Sequence, residues 1–562
     1  MLSAAVLTKA LLVAGTLSCV IATDNSAVDS AGAPTVQLDQ GTFVGNLNGS
    51  FKNFLGIPFA LSPTGDRRFR LPQANHPYTG THNATIFGES CPQQSSEVII
   101  PNQAVAQAVE SFLSNRSSVS NPQSEDCLSV NIWAPANATA GLKLPVLVWV
   151  YGGGFEDGQT ASFDGGVVVQ RAIDLGTPVI YVSMNYRLSL FGFLGGKEVK
   201  EAGVGNLGLQ DQRLALRWVQ KYITAFGGDP KKVTMQVLNW GESAGAISVA
   251  LQMVTNNGDD EGLFRGAIMQ SGSPIPSGDI IDNQPFYDAV VNETGCTNAT
   301  DTLECLRGVS FESLQSAANQ SPGTMSPMSL NLAWLPRVDG VFLKDDPQIL
   351  VQNGNVANVP FITGDCDDEG TLFTLSLTNI TTDQEARDYL SSNYMPNATD
   401  QQIDRLLELY PSDPAAGSPF DTGDANAVTP QFKRLAAVQG DLVFQAPRRF
   451  FLDQRSLKQN TWSFLFKRGK STPILGSFHG SDLTGIYGSV VGSELKDFII
   501  HFAVSLDPNG VSSLHWPKYT NESPELMTFL DGSVPLNITA DTYRAEAFDF
   551  LTELSLEFPL RR

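Results

Sequence analysis

The chain predicts an α/β architecture, a large and mostly parallel sheet covered by helices. Three observations point there. Short apolar, β-branched runs recur at Val146 to Val150, Val179 to Val182, Val233 to Leu238, Ala267 to Met269, Val359 to Thr363 and Trp462 to Phe466. Helix-like stretches such as Gln210 to Thr224 lie between several of them, the alternation that builds a parallel sheet. The composition, 42% hydrophobic and 17% charged over 562 residues, supplies a large core and lacks the signature of disorder.

At the N-terminus, MLSAAVLTKALLVAGTLSCVIATDNS places Lys9 ahead of an apolar run that ends in small residues near Ala22. That pattern predicts a secretory signal peptide over residues 1–22, since a membrane anchor needs about 20 apolar residues. The C-terminal LSLEFPLRR is too short and charged for a lipid-anchor tail, so no stable membrane anchor is expected. From residue 23 to 562 no repeat or linker separates domains, and a single domain with long insertions is expected. A net charge of −22 argues against nucleic acid or an anionic membrane as partner. Eleven Asn-Xaa-Ser/Thr sequons, from Asn48 to Asn537, fit a glycosylated secreted protein. With Cys19 removed, five cysteines remain, Cys91, Cys127, Cys296, Cys305 and Cys366, and two disulfides with one free thiol are the simplest outcome.

The chemistry gathers in four segments. Gly241-Glu-Ser243-Ala-Gly245 follows a strand-like run and precedes the helix-like AISVALQMV, the setting in which a serine stands on a sharp strand-to-helix turn. A G-x-S-x-G motif alone is weak, because an ordinary Gly/Ser turn matches it too. Its first partner is Tyr151-Gly152-Gly153-Gly154-Phe155, directly after LPVLVWV. Consecutive glycines cost backbone entropy, a cost that makes sense where backbone N–H groups must face an oxyanion. A serine nucleophile also needs a base, and the chain has five histidines: His76, His82, His479, His501 and His515. The first two precede the serine, whereas this arrangement places the base last. His479, in the glycine-flanked GSFHGSDL, is favoured; His501 in DFIIHFAV and His515 beside Trp516 read more simply as packed histidines. Between serine and histidine, VPFITGDCDDEGTLF offers Asp365, Asp367, Asp368 and Glu369, and residue chemistry alone does not choose among them.

Taken together these segments resemble the type B carboxylesterase family, which includes cholinesterases and large fungal lipases. The resemblance runs from FLGIPFA at Phe54 to HGSDL and includes SEDCLSVNIW, NYRLSLFGFL, GNLGLQDQRLAL and AFGGDP in family order. It implies an α/β-hydrolase fold with Ser243 as nucleophile, Glu369 as acid and His479 as base. It further implies Gly153, Gly154 and Ala244 as backbone donors of an oxyanion hole, and no metal or cofactor. Disulfides Cys91–Cys127 and Cys296–Cys305, a free Cys366, and structural ion pairs Arg68–Glu125 and Arg187–Asp211 follow from the same resemblance. One departure stands out. Relatives have about two residues between the Val-Thr of the nucleophile strand and the G-x-S-x-G motif, but here MQVLNW separates Thr234 from Gly241. An even excess preserves the strand's alternation, so a longer strand or a bulge is expected to absorb it.

The stretch between Cys91 and Cys127 corresponds to the family's lid-like loop. Val105, Val109, Phe112 and Leu113 fall at helical spacing behind Val98-Ile99-Ile100, an amphipathic pattern that suits a lid or equally a packed surface helix. The loop has no Trp or Tyr to hold a quaternary ammonium by cation–π attraction, which argues against choline esters. The expected substrate is a small-molecule ester with a long acyl chain, presented at a lipid–water interface, as for a lipase or sterol esterase. A short-acyl or aryl esterase is the alternative, and an inactive binding member of the fold is a third reading.

Overall fold

The apolar runs become strands, and most lengthen by a residue or two where polar residues continue the pairing. In the computed structural model, which describes residues 32–95, 99–116, 121–229, 237–488, 492–510 and 514–559, fourteen strands occur among the described residues. They are β1 (Thr35–Leu38), β2 (Gln40–Val44), β3 (Asn46–Asn48), β4 (Phe51–Pro58), β5 (Thr79–Asn83), β6 (Ser129–Pro135) and β7 (Val146–Val150). There follow β8 (Ile180–Met184), β9 (Val237–Glu242), β10 (Gly266–Gln270), β11 (Phe361–Cys366), β12 (Thr461–Phe466), β13 (Glu525–Phe529) and β14 (Leu536–Ala540). Three of these make a small sheet, β1-β2-β5, and eleven a large one in the order β14-β13-β12-β11-β10-β9-β7-β8-β6-β4-β3.

The centre of the large sheet, from β13 to β8, is parallel; its margins are antiparallel. Strands β7, β8, β10, β11 and β12 are buried at every position, which explains why they read as continuous apolar runs rather than alternating ones. Helices Gly165–Asp174, Leu207–Tyr222 and Ala244–Val254 supply part of the cover, the second beginning three residues before the expected Gln210. Large aromatics fill the core beneath them, with Trp149 and Trp240 packed edge to face at 4.7 Å.

The long insertions build a helical layer. Helices Asp383–Asn393, Asp400–Leu409 and Ala545–Glu557 share an apolar cluster that includes Leu390, Leu406, Val438 and Leu551. Pro34–Arg562 forms one compact unit. The expected signal peptide, 1–22, lies outside the described residues. So do residues 230–236, and with them most of the run expected as a strand from Val233. Among the described residues the strand is β9. It pairs in continuous parallel register on both sides, Val146↔Val237 to Val150↔Gly241 and Gly266↔Leu238 to Gln270↔Glu242. The extra residues therefore leave no slip in register at the motif.

Candidate active site

Four loops leave the carboxyl ends of neighbouring parallel strands and converge: Tyr151–Gly158 after β7, Ser243 after β9, Glu369 after β11 and His479 after β12. Parallel sheets place their ligand sites at this edge, so sequence-distant residues meet without further contrivance.

Ser243 stands between β9 and helix Ala244–Val254 at φ 56° and ψ −127°, a conformation that costs an L-residue about 1–3 kcal/mol. The turn closes only because its flanks lack Cβ atoms. A Cβ on Gly241 would lie 2.3 Å from the carbonyl carbon of Gly245, and one on Gly245 would lie 2.0 Å from the Val150 oxygen. Ser243 N–H donates to the Gln270 carbonyl at 2.9 Å, which ties the elbow to β10.

His479 Nε2 lies 2.8 Å from Ser243 Oγ, and its Nδ1 lies 2.5 Å from Glu369 Oε2. The other carboxylate oxygen, Oε1, accepts the Cys366 N–H at 2.6 Å. His479 is 5% exposed and Glu369 1%, so both face each other in a dry environment where such bonds are strong. Burial pushes the Glu369 carboxyl well up, and a hydrogen bond from the Ser271 hydroxyl partly offsets it. The imidazole ring is clasped by Phe444 at 4.6 Å and Phe373 at 5.0 Å between centroids. Glu242, next to the serine, brings Oε1 to 3.5 Å from His479 Nε2.

The four acids at the end of β11 and just after it separate cleanly. Asp365 pairs with Arg448 at 2.8 Å. Asp367 pairs with Lys467 at 3.2 Å. Asp368 accepts from Lys470 at 2.7 Å and from the Ser477 N–H at 2.8 Å, which pins the loop carrying the histidine. Of these four it is Glu369 that hydrogen-bonds His479. Of the other histidines, His501 lies on helix Glu494–Ser505 against Gly510 and His515 is exposed.

The glycine loop lies against the elbow: a Cβ on Gly152 would come 2.7 Å from Ser243 Cβ. Gly153 and Gly154 adopt φ values of 110° and 63°. Ala244 opens its helix, so its N–H is among the first-turn donors without an intrahelical partner.

Disulfides join Cys91 to Cys127 and Cys296 to Cys305, and Cys366 is free and buried. Arg68–Glu125 and Arg187–Asp211 are buried bidentate pairs. Within the first disulfide loop a helix spans Gln103–Arg116. Val105 and Val109 on it are buried beside Leu372, Leu375, Phe432, Ile474 and Leu475, with Phe478 packed against the same cluster. Val98 and the side chains of Phe112 and Leu113 lie outside the described residues.

Several residues at this site stand outside the motifs that mark it in the sequence. Gln270 and Ser271 sit at the end of β10 in QSGSP, a strand-to-loop serine cluster that could have drawn notice. Gln270 accepts from Trp240 Nε1 at 2.5 Å and donates to Asp482 at 2.7 Å, linking the strand before Ser243 to the loop of His479. Phe444 and Gln445 come from a π-helical turn, Asp441–Gln445, within a long helical stretch; Gln445 donates to the Cys366 carbonyl at 2.8 Å.

A hydroxyl bonded to an imidazole that is bonded in turn to a buried carboxyl suits nucleophilic acyl transfer. Comparison with known proteins agrees in kind. The sequence model of the carboxylesterase family matches residues 32–551. Lipase 4 of Diutina rugosa is 42% identical over 93% of this chain and 96% of its own length. The secreted triacylglycerol lipase LIP1 of Gibberella zeae is 43% identical over 93% and 90%. Among solved structures, Aspergillus niger EstA superposes with a TM-score of 0.79 at 28% identity, covering 94% of this chain and 99% of that one.

Proposed function

From the premise that this chain belongs to the carboxylesterase family, we propose that Ser243, His479 and Glu369 form its catalytic triad, and that its substrates are long-chain acyl esters at a lipid–water interface. The protein is a secreted carboxylic-ester hydrolase. In the proposed reaction Ser243 Oγ attacks the ester carbonyl carbon while its proton passes to His479 Nε2. The N–H groups of Gly153, Gly154 and Ala244 receive the developing oxyanion, each such donor being worth about 3–4 kcal/mol. Collapse breaks the bond to the alkoxy oxygen, which leaves as alcohol with the proton from His479. Water, deprotonated by the same imidazole, then attacks the acyl-enzyme and releases the acid. Glu369 orients the ring and stabilises its cation.

The observation that carries this reading is the unbroken relay from Ser243 Oγ through His479 to Glu369. The preference for long acyl chains is supported by a relative named a secreted triacylglycerol lipase and by the apolar underside of the Gln103–Arg116 helix. Rates on chromogenic esters of increasing acyl length, measured for the parent and for Ser243→Ala, test both halves. The serine variant should lose at least about 10⁴-fold in kcat and all covalent labelling by an organophosphate. Full activity in that variant would end the assignment, and a rate that peaks at acetyl or butyryl esters would replace the lipase reading with a short-acyl esterase.

A further inference from the structure

Glu156 belongs to the glycine loop, two residues past Gly154, and is fully buried. Its Oε2 accepts the Thr324 N–H at 3.0 Å, while Oε1 has no hydrogen-bond partner among the described residues. A buried charge without a cation is costly, and a carboxyl in that position takes a proton instead. Burial indeed pushes Glu156 well above the ordinary carboxylate range, and the Thr324 N–H offsets only part of it. A leucine or methionine would fill this space without such a cost, so the carboxyl needs a reason to be there.

Its surroundings supply one. The Gly153 carbonyl accepts the N–H groups of Glu156 and Asp157, both at 3.0 Å. The Glu156 carbonyl accepts from Gln94 N–H at 2.9 Å, and Gln94 Nε2 donates to the Ser321 carbonyl at 2.7 Å. Thr324 in turn walls the glycine loop: a Cβ on Gly154 would come 2.6 Å from Thr324 Cγ2. The carboxyl thus ties the loop bearing Gly153 and Gly154 to the segment that presses against Gly154, through the one backbone donor of Thr324 itself.

We propose that Glu156 is a positioning residue for the oxyanion hole, a buried carboxyl whose bond to the Thr324 N–H holds the Gly153–Gly154 peptides and the Thr324 wall in register. The idea rests on the role proposed above for these glycines. It acts on the geometry of donors needed in the transition state, and therefore on kcat rather than on ester binding.

Purified full-length protein with Glu156→Gln, Glu156→Leu and Glu156→Asp tests this. Glutamine keeps an uncharged acceptor for the Thr324 N–H and should retain kcat to within about threefold. Leucine keeps the volume but not the acceptor, and should lower kcat on a dissolved ester by about 10- to 100-fold, a fraction of a lost oxyanion donor, with KM changed less than threefold. Affinity for a trifluoromethyl ketone, whose adduct carries the oxyanion, should fall in parallel with kcat. If the leucine variant does not accumulate, aspartate carries the test, because it withdraws the carboxyl by one methylene and should lose kcat likewise. The proposal is overturned if leucine and aspartate keep kcat within twofold, if the loss falls on KM, or if glutamine is no better than leucine. An inactive parent would instead refute the hydrolase reading, so the two failures are separable.

Discussion

Replacing Val105 and Val109 together by serine separates a lid from a merely packed helix. Both side chains are buried, at 3% and 2% exposure, against Leu372, Leu375, Phe432, Ile474 and Leu475. Fully burying a valine is worth about 1.5–3 kcal/mol, so the double variant withdraws about 3–6 kcal/mol from the packed position. That is an upper figure, since the undocked helix still hides some of this surface. If the helix undocks over substrate and lays the same valines on oil, the oil-docked state loses a similar amount. The undocked state in water loses almost nothing. Initial rates on emulsified long-chain triglyceride and on a dissolved butyryl ester give the ratio to follow. It should fall at least tenfold, with the dissolved-ester rate unchanged or higher. The disulfide at the foot of the loop keeps the helix tethered throughout. Proportional loss on both substrates would refute the argument and leave Gln103–Arg116 as a structural helix.

Other expectations follow from the same geometry. His479→Ala should lower kcat by about 10⁴-fold or more while His501→Ala stays near the parent; the reverse in a stopped assay of a dissolved ester would move the base. Peptide mapping without reduction should recover Cys91 with Cys127 and Cys296 with Cys305. Cys366, whose thiol burial pushes well up, should resist iodoacetamide at pH 8 until the protein is unfolded, and ready labelling of the native protein would contradict its burial. Stability should rise as pH falls from 7 to 5. Burial raises Asp346 to about 6, and Glu156 and Asp482 shift the same way. The native state then holds more protons than the unfolded chain across that window, each worth up to about 1.4 kcal/mol per pH unit. Asp541, held down at about 2 by Arg448 and Arg449, works oppositely and gives up its contribution below about pH 4. A melting temperature that falls steadily from pH 7 to 5 would contradict this balance.

How much of this was legible beforehand depended on where the information resides. The parallel core was readable because strands buried on both faces must be apolar throughout, and Val146–Val150 was located to the residue. The ends of the other strands were not, because Gln270, Asp365 and Cys366 continue the ladder through backbone bonds that ignore side-chain polarity. The start expected for the Ser243 strand, at Val233, lies outside the described residues; from Val237 onward the pairing is continuous.

At the site the same logic explains both what was seen and what was missed. Ser243, Gly153, Gly154 and His479 lie in glycine-marked turns, because reactive groups at a strand's carboxyl end need backbone conformations that other residues resist. The carboxylate that meets His479 was ambiguous because four carboxylates in five residues are alike in sequence and differ only in their neighbours. Arg448, Lys467 and Lys470 claim three of them, and all three basic residues lie some 80 to 100 positions downstream. Phe444 and Gln445 were invisible for a different reason. They lie inside a helical stretch, and it is a single π-helical turn that brings the Phe444 ring onto His479 and the Gln445 amide onto the Cys366 carbonyl. An inserted residue in a helix leaves no mark in composition or periodicity over so short a span, yet π turns gather where function needs a side chain re-aimed. The long insertions thus do more than cover the sheet: through this turn they supply the wall that keeps the imidazole dry between Ser243 and Glu369.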